Sequence, residues 1–126
     1  MASPAGRSYT GRVDRAGVLA VCRGLPGAVE EFPFGPTAVV FKVGGKMFAI
    51  VSLDGASGSV SLKCDPGYAV ALREEYPAVT AGYHLNKQHW NSVALDGTVP
   101  RDALADWIQD SYDLVHASLP RGKRVG

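Results

Sequence analysis

Between positions 84 and 90 the chain sets His84, Asn86, Lys87, His89 and Trp90 in one short segment. A cation, an amide, two imidazoles and an indole together can grip a flat, anionic ligand. Lys87 would meet a phosphate and Trp90 would supply a stacking surface. The two histidines are five residues apart, a spacing that does not bring both onto one helix face, so no metal site is expected of them. A second group is made of lysines. Lys42 and Lys46 flank Gly44-Gly45, and Lys63 ends a later apolar-alternating run. A hairpin tip with a lysine on each arm could lie as a wing against a nucleic-acid groove, its ammonium groups on phosphates.

Each of these residues has a plainer role beside the functional one. A tryptophan at a strand start is often tucked beneath a neighbouring turn. Asn86 can satisfy loop backbone groups, and lysines at sheet edges and hairpin tips discourage strand-to-strand aggregation. For His84 and His89, surface or loop hydrogen bonding is the simpler account.

Enzyme chemistry finds little to work with. Ser92, Ser111 and the histidines form no nucleophile elbow or triad signature, and Cys64 has no assignable base. Glu30-Glu31 and Glu74-Glu75 are adjacent pairs rather than converging carboxylates, and Gly44-Gly45 is turn chemistry rather than a phosphate loop. The expectation is a binding protein without a catalytic centre, cofactor or metal.

The elements that must position these residues follow from periodicity. Asp14 is a helix N-cap ahead of Val18, Val21, Cys22 and Leu25, an apolar stripe ended by Gly24 and Pro26-Gly27. Residues 29–32 read as a short edge strand cut off by Pro33 and Pro36. Ala38–Val43 and Lys46–Ser52 are strands joined through the two-residue Gly44-Gly45 loop. A turn over 54–58 leads to a strand at Ser59–Lys63. Asp65-Pro66 starts a helix carrying Ala69, Leu72 and Tyr76 inward and stopping before Pro77. Strands follow at 79–85 and 90–95. A last helix over 100–118 buries Leu104, Trp107, Ile108, Ser111 and Val115, and Pro120 ends it. In the strand at 90–95, Val93 and Leu95 share a face with Asn91, which puts Trp90 on the opposite face with Ser92 and Ala94.

Short connections make the sheet antiparallel. The fold class is therefore α+β: about five to six strands with three helices packed on one face. The 126 residues allow one domain, read as 13–120, with a flexible leader at 1–12 and a basic tail at 121–126. The 13 Lys and Arg nearly balance the 12 Asp and Glu, so the net charge of +1 excludes a broadly basic phosphate binder. Any positive surface must be local. Asp102, Asp106, Asp110 and Asp113 line the last helix with acid, so that helix would be repelled by a nucleic-acid backbone. Arg121, Lys123 and Arg124 could add a loose basic contact. Cys22 and Cys64 fit neither zinc spacing nor a disulfide framework. With no secretory signal and no membrane-length apolar run, the reading is a reduced, cytoplasmic protein.

Five fragments resemble the MmcQ/YjbR family in order: LPG at 25–27, FPFG at 32–35, LKCDP at 62–66, HLNKQHWNSVALDG at 84–97 and SYDLVHASLP at 111–120. The resemblance spans roughly 14–120. It implies a compact domain similar to the frataxin-like CyaY fold, a "double-wing" DNA-binding motif and no assigned enzymatic reaction. Gln88 departs from the family pattern, standing where many members carry a second basic residue after Lys87. The resemblance makes DNA the first expected partner, contacted through Lys42, Lys46, Lys63, His84, Asn86, Lys87, His89 and Trp90. Family members also occur in antibiotic-biosynthesis settings, which makes a flat aromatic natural product the second expected ligand, held in a pocket between sheet and loop. A protein-interaction module docking through an exposed sheet face is the third.

Overall fold

The structure, a computed structural model, describes residues 14–55, 58–82 and 85–123. The leader at 1–12, His84 and Arg124 lie outside the described residues. Helix α1 (Arg15–Arg23) starts where the Asp14 carboxylate accepts the Gly17 amide at 2.9 Å. Strands β1 (Val29–Glu31), β2 (Ala38–Val43), β3 (Lys46–Ser52) and β4 (Ser59–Lys63) follow. Then come α2 (Pro66–Glu75), β5 (Val79–Ala81), β6 (Trp90–Ala94), α3 (Arg101–Ala117) and a 3-10 turn at Arg121–Lys123.

The six strands form one sheet in the order β1-β2-β3-β4-β6-β5, every neighbouring pair antiparallel. The expected α+β architecture with three helices is the one observed. The strand expected over 79–85 pairs only as far as Ala81. Gly82 ends it by donating its N–H across to the Trp90 carbonyl at 2.9 Å.

Register sorts the side chains onto two faces. Val39, Phe41, Val51, Val60, Leu62, Val79 and Val93 turn toward the helices and meet Val18, Leu72, Leu104, Ile108 and Val115 in one buried cluster. Burying a side chain such as Phe41 or Leu104 contributes about 1.5–3 kcal/mol. Alternation fails once, in β3, where the register with β2 shifts and Phe48 and Ala49 are both fully buried. Phe48 packs edge-on against Tyr112, ring centroids 5.4 Å apart. The bulge pulls β3 away from the end of β4, and α3 closes the gap. The Ser111 hydroxyl donates to the Phe48 carbonyl at 2.6 Å and accepts the Lys63 amide at 2.8 Å. Ser111, placed in the buried stripe of α3 by the sequence, thus stands in for a missing ladder bond.

Candidate binding cleft on the open sheet face

The face turned away from the helices is built from residues that a strand rarely leaves in the middle of a sheet. The pairs Ser61–Ser92 and Ile50–Ser61 form one row across it, and Ala38–Ser52 and Ser59–Ala94 lie in the next. Small side chains leave the sheet surface low. Beside it stand Phe34, in the turn at 32–35 closed by the Gly35 amide on the Phe32 carbonyl at 3.2 Å, and Leu85. Between them lies a cleft of about 560 Å3 lined by Phe34, Thr37, Ala38, Ile50, Ser52, Ser59, Ser61, Leu85 and Ser92. That volume is within the range that takes a small-molecule ligand. The Ser61 and Ser92 hydroxyls are 2.8 Å apart, and either can donate to the other. Phe34 is 63% exposed, so its ring stands in solvent at the rim.

Trp90 lies on this face, opposite Lys63, as the strand alternation predicts. It is not the exposed stacking surface that the nucleic-acid expectation needs. Only 9% of it is accessible, although it takes no part in the helix-side core cluster. Gly82 runs close beside it: a Cβ there would sit 2.8 Å from the Trp90 Cβ, so the neighbouring chain has no room for a side chain at that position. On its other side the Asn86 carbonyl accepts the amides of His89 (3.2 Å) and Trp90 (2.9 Å), while its side-chain oxygen accepts the Gln88 amide at 2.9 Å. Asn86 therefore organises the turn, the plainer of its two roles. The His89 carbonyl accepts the Cys64 amide at 2.7 Å and ties that turn to the end of β4.

The hairpin lysines do not form a wing. In a two-residue turn Val43 opposes Lys46 and Lys42 opposes Met47, so the two lysines point to opposite faces. Lys42 lies on the open face and is held 2.9 Å from Glu31 on β1, a pairing that neutralises it locally. Lys46 is exposed on the helix side, and a side chain at the neighbouring Gly44 would collide with Leu119. Lys63, half-buried, lies on the open face opposite Trp90, and Lys87 is exposed on the turn before β6. Neither has a carboxylate partner among the described residues.

Two residues that the sequence reading left unassigned hold this end together. Asn91, 3% exposed on the helix face, donates to the Ala69 carbonyl at 3.2 Å and accepts from Arg73 at 2.9 Å. The same Arg73 nitrogen donates to the Lys87 carbonyl at 3.0 Å. One guanidinium thus joins α2, β6 and the turn beside the cleft. An amide in phase with Val93 and Leu95 was the signal available in the sequence.

Both thiols are held in the protonated form at neutral pH. Burial pushes Cys22 up to about 12, against a smaller pull from Arg23. Burial, with Asp65 and Asp110 adding to it, pushes Cys64 up to about 11. No group of three or more His, Cys, Asp or Glu among the described residues is arranged to hold a metal ion. No helix among them is long and apolar enough to cross a membrane.

A six-stranded antiparallel sheet with three helices on one face and a cleft on the other defines the class of protein: a small α+β domain with an open sheet face. The chain belongs to the YjbR family, whose model matches residues 23–114. It is 35% identical to the protein YjbR of Escherichia coli K12 over 107 residues, which cover 85% of this chain and 91% of that one. To the protein YbdF of Escherichia coli O157:H7 it is 40% identical over 97 residues, 77% and 80% of the two chains. The crystal structure of Deinococcus radiodurans protein DR2400 superposes with a TM-score of 0.85 at 36% identity, covering 92% of this chain and 88% of that one.

Proposed function

We propose that this protein is a non-catalytic binding module that takes a small, flat ligand into the open-face cleft. The cleft itself carries the reading. Its floor is hydroxyl and hydrocarbon, its rim an exposed phenyl ring, and no imidazole, carboxylate or amine stands among its described lining residues to activate a serine. Sequestration rather than turnover fits such a lining, and the two unpaired thiols fit a reducing cytoplasm as its place of work. Trp90 lies two positions from Ser92 on the same face of β6 and serves as a reporter. Titration with a broad library of flat aromatic compounds is expected to change tryptophan emission for a subset, and Ser59→Phe, which fills the cleft, is expected to abolish that response. A flat response throughout the library would end the proposal.

A second reading, DNA binding, is favoured by Lys63, opposite Trp90 on the open face, and the exposed Lys87 of the turn before β6, neither of which has a carboxylate partner among the described residues. Two phosphate contacts imply a shallow salt dependence, a log–log slope of about −2. Binding of single-stranded and duplex DNA at low and moderate salt tests it. Absence of a salt-sensitive complex at low salt eliminates this reading.

A further inference from the structure

We infer that the groove between α1 and α3 is a second binding site, which takes a medium-chain carboxylate with its head on Arg101 and its tail along the two helices. The groove lies on the helix side of the sheet, apart from the open-face cleft, and does not depend on the reading given for that cleft. On α1, Gly17, Ala20 and Val21 fall on one helix face; on α3, Arg101, Leu104 and Ile108 do. Gly17, Ala20 and Ala105 carry too little side chain to fill the space between the helices, and about 220 Å3 is left open. That is less than a drug-sized ligand needs and suits a single chain. From Arg101 to Ile108 the lining runs about 10 Å along α3, close to the length of an extended octanoate.

Arg101 supplies the charge that the head group answers. Its Nε is shielded from solvent and has no hydrogen-bond partner, and no carboxylate pairs with its guanidinium, among the described residues. Arg15, the other arginine with a shielded Nε, directs its terminal nitrogens to the Leu53 and Gly55 carbonyls at 3.0 and 2.6 Å. The carboxylates beside the lining are engaged elsewhere: Asp14 accepts the Gly17 amide and Asp102 the Ala103 amide, each at 2.9 Å. Holding a half-buried cation without a partner is unfavourable, so the terminal nitrogens of Arg101 call for an anion. Its place in the fold adds to this. Arg101 opens α3, whose N-terminus has no side-chain cap, and the positive end of the helix dipole favours negative charge at the same spot. One guanidinium balances one negative charge, which a carboxylate carries and a phosphate exceeds. The planar head matches the guanidinium through paired N–H···O bonds, while a saturated tail covers Val21, Leu104 and Ile108.

Octanoate and 1-octanol, alike in chain length but differing in charge, test the site on the full chain, with the methyl resonances of Val21, Leu104 and Ile108 as the readout. Octanoate is expected to shift all three and to bind about tenfold or more tightly than 1-octanol, the margin of a charge-assisted hydrogen bond. Arg101→Met, which keeps an apolar stem while removing the charge, is expected to bring octanoate down to the affinity of 1-octanol and to leave 1-octanol unchanged. Ala20→Leu, at an exposed helical position, is expected to fill the groove and weaken both. Equal affinities of the unaltered protein for the two compounds overturn the carboxylate, and so does an Arg101→Met protein that binds octanoate as before. Octanoate that shifts the Ile50 methyl while sparing Val21, Leu104 and Ile108 belongs to the open-face cleft and overturns the groove as a site, as does octanoate that shifts none of these methyls. The comparison of the two compounds on the unaltered protein decides the matter even where a variant fails to fold.

Discussion

The Arg73 guanidinium meets the Asn91 side-chain oxygen at 2.9 Å, joining the last turn of α2 to β6, the strand that follows the 85–89 segment. Asn91 has no apolar substitute here. Its amide serves two partners, Arg73 and the Ala69 carbonyl, at 3% exposure. Replacement by leucine, of similar bulk, strands both, and each unpaired buried group costs about 1–3 kcal/mol. Asn91→Leu is therefore expected to lower stability by about 2 kcal/mol or more in urea denaturation. Because Arg73 also donates to the Lys87 carbonyl, amide exchange in 85–89 should quicken in this variant. An unchanged urea midpoint would contradict the assignment.

Ser111→Ala is expected to behave differently from a surface serine. Its hydroxyl is fully buried and links the bulged Phe48 carbonyl to the Lys63 amide, so removal leaves one donor and one acceptor unmatched between β3 and β4. The expected loss is about 1–3 kcal/mol, with the Lys63 amide exchanging faster than its neighbours. Ser118→Ala, whose hydroxyl only returns to the Val115 carbonyl at the end of α3, serves as the control and should cost well under 1 kcal/mol.

Local chemistry was legible in this sequence to the extent that it is local. Asp14 and Asp65 cap α1 and α2 as their positions predict, and the stripe through Leu104, Trp107, Ile108, Ser111 and Val115 is the buried face of α3. Alternation correctly put Trp90 on the face away from Val93. It could not show that Gly82 would run against the indole, because that contact depends on where β5 ends and how Asn86 folds the turn. The lysine wing, by contrast, was refutable from the period of two alone: across a two-residue turn Lys46 opposes Val43, so Lys42 is out of phase with it. The cleft was hidden for another reason. Ser52, Ser59, Ser61 and Ser92 become neighbours only when β4 is inserted between β3 and β6, a strand order that short-range pattern does not fix.

The two thiols give the protein an alkaline limit. In the fold their ionisation is pushed up to about 12 for Cys22 and about 11 for Cys64, chiefly by burial, against 9.0 ordinarily. The unfolded chain therefore releases these protons first. Their contribution to stability is whole below pH 9 and is lost as pH rises through 11 to 12. Tyr76 and Tyr112, also raised chiefly by burial, act with the same sign. The urea midpoint is expected to hold between pH 7 and 8.5 and fall beyond it. Cys22→Ala should start from a lower midpoint but decline less steeply, and equal slopes in the two proteins would assign the alkaline loss to Cys64 and the tyrosines.

Gly82 sets how the open face is closed over Trp90. A methyl group at that position would lie 2.8 Å from the Trp90 Cβ and 3.1 Å from its carbonyl oxygen, atoms of the strand backbone and its first side-chain carbon that cannot swing aside. Either β5 separates from β6, with loss of the Gly82 amide's bond to the Trp90 carbonyl, or Leu85, whose Cβ would lie 3.3 Å away, is displaced. Both movements let water reach the indole. Gly82→Ala is expected to cost about 1–3 kcal/mol through overpacking and to shift tryptophan emission to longer wavelength in the folded state. Trp107, buried against Tyr76 with ring centroids 5.1 Å apart, should contribute the same emission before and after. A Trp107→Phe background therefore isolates the Trp90 signal. Native-like emission and stability in Gly82→Ala would mean that the chain does not press on the indole there, and that Trp90 is open to a ligand after all.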